Sequence, residues 1–172
     1  MSFLHVQRSS IVKHLFENVL IVINDSNASI QAAEFGILMS KFNGSTLHAV
    51  YVIDTATLKQ LTLQKIFVKE EYDEFSESLE ADGKRYLQYV QELGKAKGVA
   101  IETELRSGSV WSEVITYANE IEADVILLGG TTTSDPYQRD MFNSSYGKIL
   151  LHSNCSVLYV KEEYIDQLYK LL

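Results

Sequence analysis

The residues best suited to chemistry in this chain stand at the ends of apolar runs. GGTTTSDP, residues 129–136, follows DVILL and closes on the single proline, Pro136. A glycine pair ending a buried strand lets backbone N–H groups approach a phosphate closely, because no Cβ intervenes. Here Gly129 and Gly130 lead into Thr131, Thr132, Thr133 and Ser134, so the chemistry offered is hydroxyl donation to an anion rather than an all-glycine cradle. A second polar group, Asn143, Ser144 and Ser145, opens the stretch SSYGKILLH, and a third, NDSN at residues 24–27, ends the run VLIVI. Such residues cap helices, and a helix N-terminus favours an anion. The same hydroxyls also suit a solvated loop with local side-chain to backbone bonds, and on these residues alone both readings stand.

Other chemistries find less support. There is no G-x-S-x-G elbow for a nucleophile. Gly147-Lys148 is not a phosphate loop, since Phe142 stands where that motif needs its first glycine and Ile149 where it needs Ser or Thr. The histidines His5, His14, His48 and His152 form no close-spaced ligand pair, and His152 with Cys155 supplies only two potential zinc ligands. They read as core or surface residues. Cys155 reads as a small buried hydrophobe at the start of a strand. Trp111 reads as packing for its helix, with a partner surface as the alternative. The carboxylates of EEYDEFSESLEADG read as the wet face of a helix. Arg139 and Lys148 are the cations nearest the hydroxyl cluster in sequence, and solvation is their expected role.

The elements that must position these groups follow from periodicity. Residues 19–23, VLIVI, are apolar on both faces, as in the middle of a parallel sheet. Ser26 or Asn27 caps a helix over 28–42 with Ala33, Ile37 and Leu38 inward, and Asn43-Gly44 stops it. A strand over 46–53 ends at Asp54. Residues 56–97 hold one long helix, with Tyr72, Phe75, Leu79, Tyr86, Tyr89, Val90 and Leu93 at helical spacing, preceded by a short helix near 58–67. AIETELR, 100–106, alternates in polarity and so predicts a less buried strand. A helix over 110–121, a strand over 124–128, the helix SSYGKILLH and the strand CSVLYVK complete the order. Strands alternating with helices imply parallel units joined by right-handed crossovers, and hence an α/β fold: an open parallel sheet with helices on both faces. The polar turns lie at the carboxyl ends of its strands, where such sheets bind ligands. The tail EEYIDQLYKLL is amphipathic, with Tyr164, Leu168, Leu171 and Leu172 suited to docking on this chain or on a partner.

Length and composition bound the reading. The 172 residues suit one domain, and 46% hydrophobic with 22% charged residues suits a globular core. A net charge of -8 disfavours a nucleic-acid partner. The apolar runs are too short to span a membrane. A lone cysteine fits a reducing cytoplasm, and the opening MSFLHVQRSS lacks the long apolar core of a secretory signal.

The ordered set VLIVINDSNAS, AVYVID, GSVWSEVITYANEIEADVILLGG and NSSYGKILLHSNCSVLYVK resembles the universal stress protein family over residues 17–161. The resemblance implies five parallel strands in a Rossmann-like sandwich. It divides the chain into an extension over 1–17, the domain over 18–161 and a tail over 162–172. It also implies a homodimer through the last strand. Some members bind ATP, through a signature of Gly, two residues, Gly, nine residues, and Gly followed by Ser or Thr.

This chain departs from that signature. Counted from Gly129, Thr132 takes the second glycine's place and the spacing to Asn143 is one residue too long; counted from Gly130 the spacing fits, but Thr133 takes that place. Asn143 replaces the third glycine and Ser144 matches the hydroxyl residue. A β-branched Thr resists positive φ and adds bulk where backbone should touch phosphate. Asn24 stands where the family commonly has Asp, Asp25 where it has Gly, and Val52 matches the apolar residue near the base. The nucleotide-site candidates are thus Asn24, Asp25, Val52, Gly129, Gly130, Thr132, Thr133, Asn143, Ser144 and Ser145, with no catalytic or metal-ligating residue. The expected function is a small cytoplasmic stress-response binding protein with weak or lost ATP binding and a protein partner as the alternative ligand. The competing reading is an adenine-nucleotide-binding stress protein with slow ATP hydrolysis, for which Asp25 and Asp135 are the nearest carboxylates. A third is an assembly module built on the long helical region and the tails.

Overall fold

The computed structural model describes residues 15–64, 69–130, 144–161 and 164–172. Its strands are β1 (Asn18–Ile23), β2 (Thr46–Ile53), β3 (Ile101–Ser107), β4 (Val125–Gly129) and β5 (Ser156–Val160). They form one parallel sheet in the order β3-β2-β1-β4-β5. The helices are α1 (Asn27–Asn43), α2 (Thr55–Leu63), α3 (Lys69–Ala96), α4 (Val110–Glu120), α5 (Ser145–His152) and α6 (Ile165–Leu171).

β1 is the central strand, and its composition explains why. Val19, Ile21 and Ile23 face a layer made by Ala32, Ala33 and Ile37 of α1, Leu87 and Val90 of α3 and Tyr169 of α6. Leu20 and Val22 face the other way, onto Val114 and Ala118 of α4 and Ile149 of α5. A strand buried on both faces has no place for polar side chains, and burying each aliphatic side chain contributes about 2 kcal/mol. β3 lies at a sheet edge, which accounts for its alternation: Ile101 is buried while Glu102 is exposed. His48 of β2 is a buried residue, edge-on to Tyr117 at 6.2 Å and 3.4 Å from the Glu102 carboxylate. Trp111 packs between α4 and α5, 5.6 Å from the His152 ring.

Several side chains point otherwise than periodicity suggests. Leu38 is only half-buried, because Ala32, Ala33, Gly36 and Ile37 fill the inner face of α1. Phe75 and Tyr89 are exposed, 46% and 47%, while Leu87 and Val90 carry the buried stripe of α3. The close approach of α3 to the sheet is made at Gly83 and Gly94, where a Cβ would stand 2.7 Å from the Tyr51 ring and 2.6 Å from the Val99 carbonyl oxygen. Cys155 precedes β5 rather than opening it and is half-buried; burial pushes its thiol pKa up. The tail docks on its own chain, but through Ile165 and Tyr169, while Tyr164, Leu168, Leu171 and Leu172 remain exposed or partly so. Positions 165 and 169 are one helical turn apart and share a face. The Tyr169 hydroxyl donates to the Leu93 carbonyl at 2.7 Å, and Lys97 Nζ lies 4.8 Å from its ring centre.

The cap positions match their residues. Ser26 is the N-cap of α1, accepting from the Ser29 N–H, and Gly44 ends the helix at φ 72.

Two substitutions test this packing by urea denaturation. Tyr169→Phe should cost about 1 kcal/mol, the net worth of its hydrogen bond, and Tyr169→Ala about 3 kcal/mol. Gly129→Ala should cost about 3 kcal/mol, because the new Cβ would lie 2.3 Å from backbone atoms of Ala28, and a helix backbone yields less readily than a side chain. A loss below about 1 kcal/mol would mean that α1 shifts to make room.

Candidate functional site

β1 and β4 pair side by side, yet the helices that follow them pack on opposite faces of the sheet. The order of strands reverses at this pair, the place at which open parallel sheets form a crevice beyond the strand ends.

From β1 comes Asn24. Its side-chain oxygen accepts from the Ser26 N–H at 2.8 Å and lies 2.6 Å from the Ser26 hydroxyl, while its amide nitrogen donates to the Tyr146 hydroxyl at 2.9 Å. The Asn24 N–H donates to Ser29 Oγ at 3.2 Å, and Ser29 is fully buried, so the strand end is tied to the first turn of α1. Asp25 is exposed, and its carbonyl accepts a long hydrogen bond of 3.5 Å from the Tyr86 hydroxyl of α3.

From β4 come Gly129 and Gly130. The volume a side chain would take at Gly129 is filled by the backbone of Ala28 and Ser29, and at Gly130 by the Tyr159 ring, 2.5 Å from the position of a Cβ. The Gly130 N–H donates to the Val160 carbonyl at 2.7 Å. Gly129 is therefore required by contact with helix backbone before any ligand is considered, while a side chain at Gly130 would have to displace Tyr159 and Lys161. Lys161 lies beside them: its Cγ would be 2.8 Å from a Cβ at Gly130, and its Nζ sits 5.3 Å from the Tyr159 ring centre.

From α5 come Ser144 and Ser145. Ser144 is the N-cap and accepts from the Gly147 N–H at 3.1 Å; Ser145 is the first helical residue. Tyr146, next in line, reaches to Asn24 and meets Tyr159 edge-on at 6.4 Å. Burial raises its pKa to about 12, with Tyr159 adding to the effect, the Asn24 hydrogen bond opposing it and Asp25 adding a smaller push. Tyr146 is thus a neutral phenol at neutral pH. Val52 of β2 is half-buried on the same face as Tyr146. Gly108 closes the neighbouring strand end, its N–H donating to the Ile53 carbonyl at 3.0 Å.

The structure therefore gathers Asn24, Gly129, Gly130 and Ser144 around the β1–β4 crevice, with Val52 on the adjoining strand and Asp25 at its rim. Thr132, Thr133 and Asn143 lie outside the described residues, as do Asp135 and Arg139. Sequence reasoning missed Tyr146 and Lys161. Tyr146 carried one signal, an aromatic residue directly after the two serines; Lys161 becomes a neighbour only through the pairing of β4 with β5. Among the described residues, no three His, Cys, Asp or Glu side chains converge on a metal position.

Comparison with known proteins accords with this architecture. The model of the universal stress protein family matches residues 15–161. A universal stress protein of Methanocaldococcus jannaschii is 27% identical over 150 residues, covering 87% of this chain and 85% of its own length. Among solved structures, a universal stress protein in complex with cAMP superposes with a TM-score of 0.62 at 16% identity, over 86% of this chain and 98% of its own. One from Archaeoglobus fulgidus in complex with dAMP gives 0.57 at 14% identity, over 86% and 99%. At that identity the structural likeness shows the fold, a Rossmann-like five-stranded sandwich. With the family model spanning nearly all of the described domain, this chain belongs to the universal stress protein family.

Proposed function

We propose that this protein is a cytoplasmic stress-response protein that acts by binding rather than by catalysis, with an adenine-nucleotide site at the β1–β4 crevice whose affinity is weak or lost. The complexes with cAMP and dAMP show that relatives of this fold take adenine ligands. The carrying observation here is the state of the crevice wall: the Tyr159 ring lies over Gly130, and the Asn24 side chain is already bonded to Ser26 and to Tyr146. Among the described residues, a helix N-terminus and Lys161 remain to attract an anion. Asp25 at the rim repels one.

Dimerisation through β5 is the second part of this reading. Among the described residues β5 pairs only with β4 and stands at the edge of the sheet, and Leu158 at its middle is 39% exposed. A short edge strand pairing antiparallel with its own copy satisfies both edges at once.

Isothermal titration calorimetry with ATP, ADP, AMP and cAMP tests the first part. Dissociation constants weaker than about 100 μM are expected, corresponding to less than about 6 kcal/mol of binding, and micromolar ATP binding would overturn the reading. For the second part, sedimentation velocity should give a dimer for the full chain and a monomer for Leu158→Lys. A dimer in both would place the interface elsewhere.

A further inference from the structure

The hydrogen bond between Asn24 and Tyr146 joins the two walls of the crevice. Asn24 belongs to the connection that runs to α1 on one face; Tyr146 belongs to α5 on the other. We propose that Tyr146 gates the crevice: its ring and hydroxyl hold the walls together, and an adenine nucleotide enters only when this bond breaks and the ring turns out. The inference rests on the reading of the crevice as an adenine-nucleotide site.

Three observations support it. First, Asn24 has little donor or acceptor capacity left for a ligand. Its oxygen faces the Ser26 N–H and hydroxyl, and one amide hydrogen goes to Tyr146. Any ligand group that uses this side chain competes with bonds already made. Secondly, the Tyr146 ring packs against the α4–α5 core layer, edge-on to Tyr159, so turning it out sacrifices ring contact as well as a hydrogen bond. Thirdly, Tyr159 in turn lies over Gly130, so the two rings form a continuous pair from Asn24 to the end of β4. Phosphate gains no ion pair from Tyr146, because the phenol is uncharged; the hydroxyl accepts from the Asn24 amide and keeps its own O–H to donate.

The roles of the hydroxyl and of the ring separate in two variants. Tyr146→Phe keeps the ring and frees the Asn24 amide; Tyr146→Ala removes both restraints. Calorimetry on the full-length chain should show AMP and ATP binding about fivefold tighter in Tyr146→Phe than in the native protein, and about thirtyfold tighter in Tyr146→Ala. Circular dichroism verifies the fold of each, and Tyr146→Phe, which preserves packing, serves if the alanine variant is unstable. In the native protein, the 15N side-chain amide signal of Asn24 should move on nucleotide addition to the position it holds in free Tyr146→Phe. Equal, measurable affinity in the native protein and in the folded variants would overturn the role of Tyr146 and leave the nucleotide site standing. No binding by any of the three proteins would overturn both.

Discussion

Pairing of β1 with β2 on one side and β4 on the other is the constraint from which the rest follows. Because the chain first builds outward to β3 and only then returns to the far side of β1, the connections after β1 and β4 must cover opposite faces. Right-handed crossovers leave no other solution. The crevice at the strand ends is thus a product of topology, and it exists whether or not the residues around it suit a ligand. What those residues do is reduce it. Backbone of α1 lies against Gly129, and two tyrosines from α5 and β5 reach across the opposite wall.

A glycine at such a strand end answers to two demands that look alike in sequence. One is access for a phosphate; the other is contact with the neighbouring helix. At Gly129 the second is measurable: with Ala28 backbone atoms 2.3 Å from a virtual Cβ, no other residue fits without displacing α1. Gly129 therefore belongs to the scaffold of this chain. The surrounding positions are where ligand chemistry is decided, and at Tyr146 this chain carries a bulky, neutral aromatic side chain.

The fold was largely legible because it rests on composition along short segments. VLIVI, apolar on both faces, reads as a central strand, and AIETELR, with alternating polarity, reads as a less buried one, which the structure places at an edge. Side-chain direction on the helices was less legible. The apolar residues of α3 outnumber those that its contact with the sheet can hold, so Phe75 and Tyr89 are left outside while Leu87 and Val90 are buried. In α6 the tyrosine and isoleucine turn inward and the leucines outward, because Tyr169 finds the Leu93 carbonyl and a leucine would leave it unpaired. The site was legible only in part. The positions of Asn24, Gly129 and Ser144 at element ends could be read from the sequence. Tyr146 meets Asn24 across 122 positions of sequence, and no local pattern encodes a pair at that separation.

Tyr159 links the crevice to the sheet edge. Its ring touches Tyr146, roofs Gly130 and carries Lys161 above it, while its backbone belongs to β5. A movement of Tyr146 thus reaches the edge strand through one aromatic contact, worth about 1 kcal/mol. The parallel ladder that holds β5 to β4 runs from Val125↔Ser156 to Gly129↔Val160 and is several times stronger in sum. Coupling of this size biases the outward face of β5 without detaching the strand. Displacing Tyr146 would therefore alter how Tyr159 packs, while the pairing of the strand stays intact.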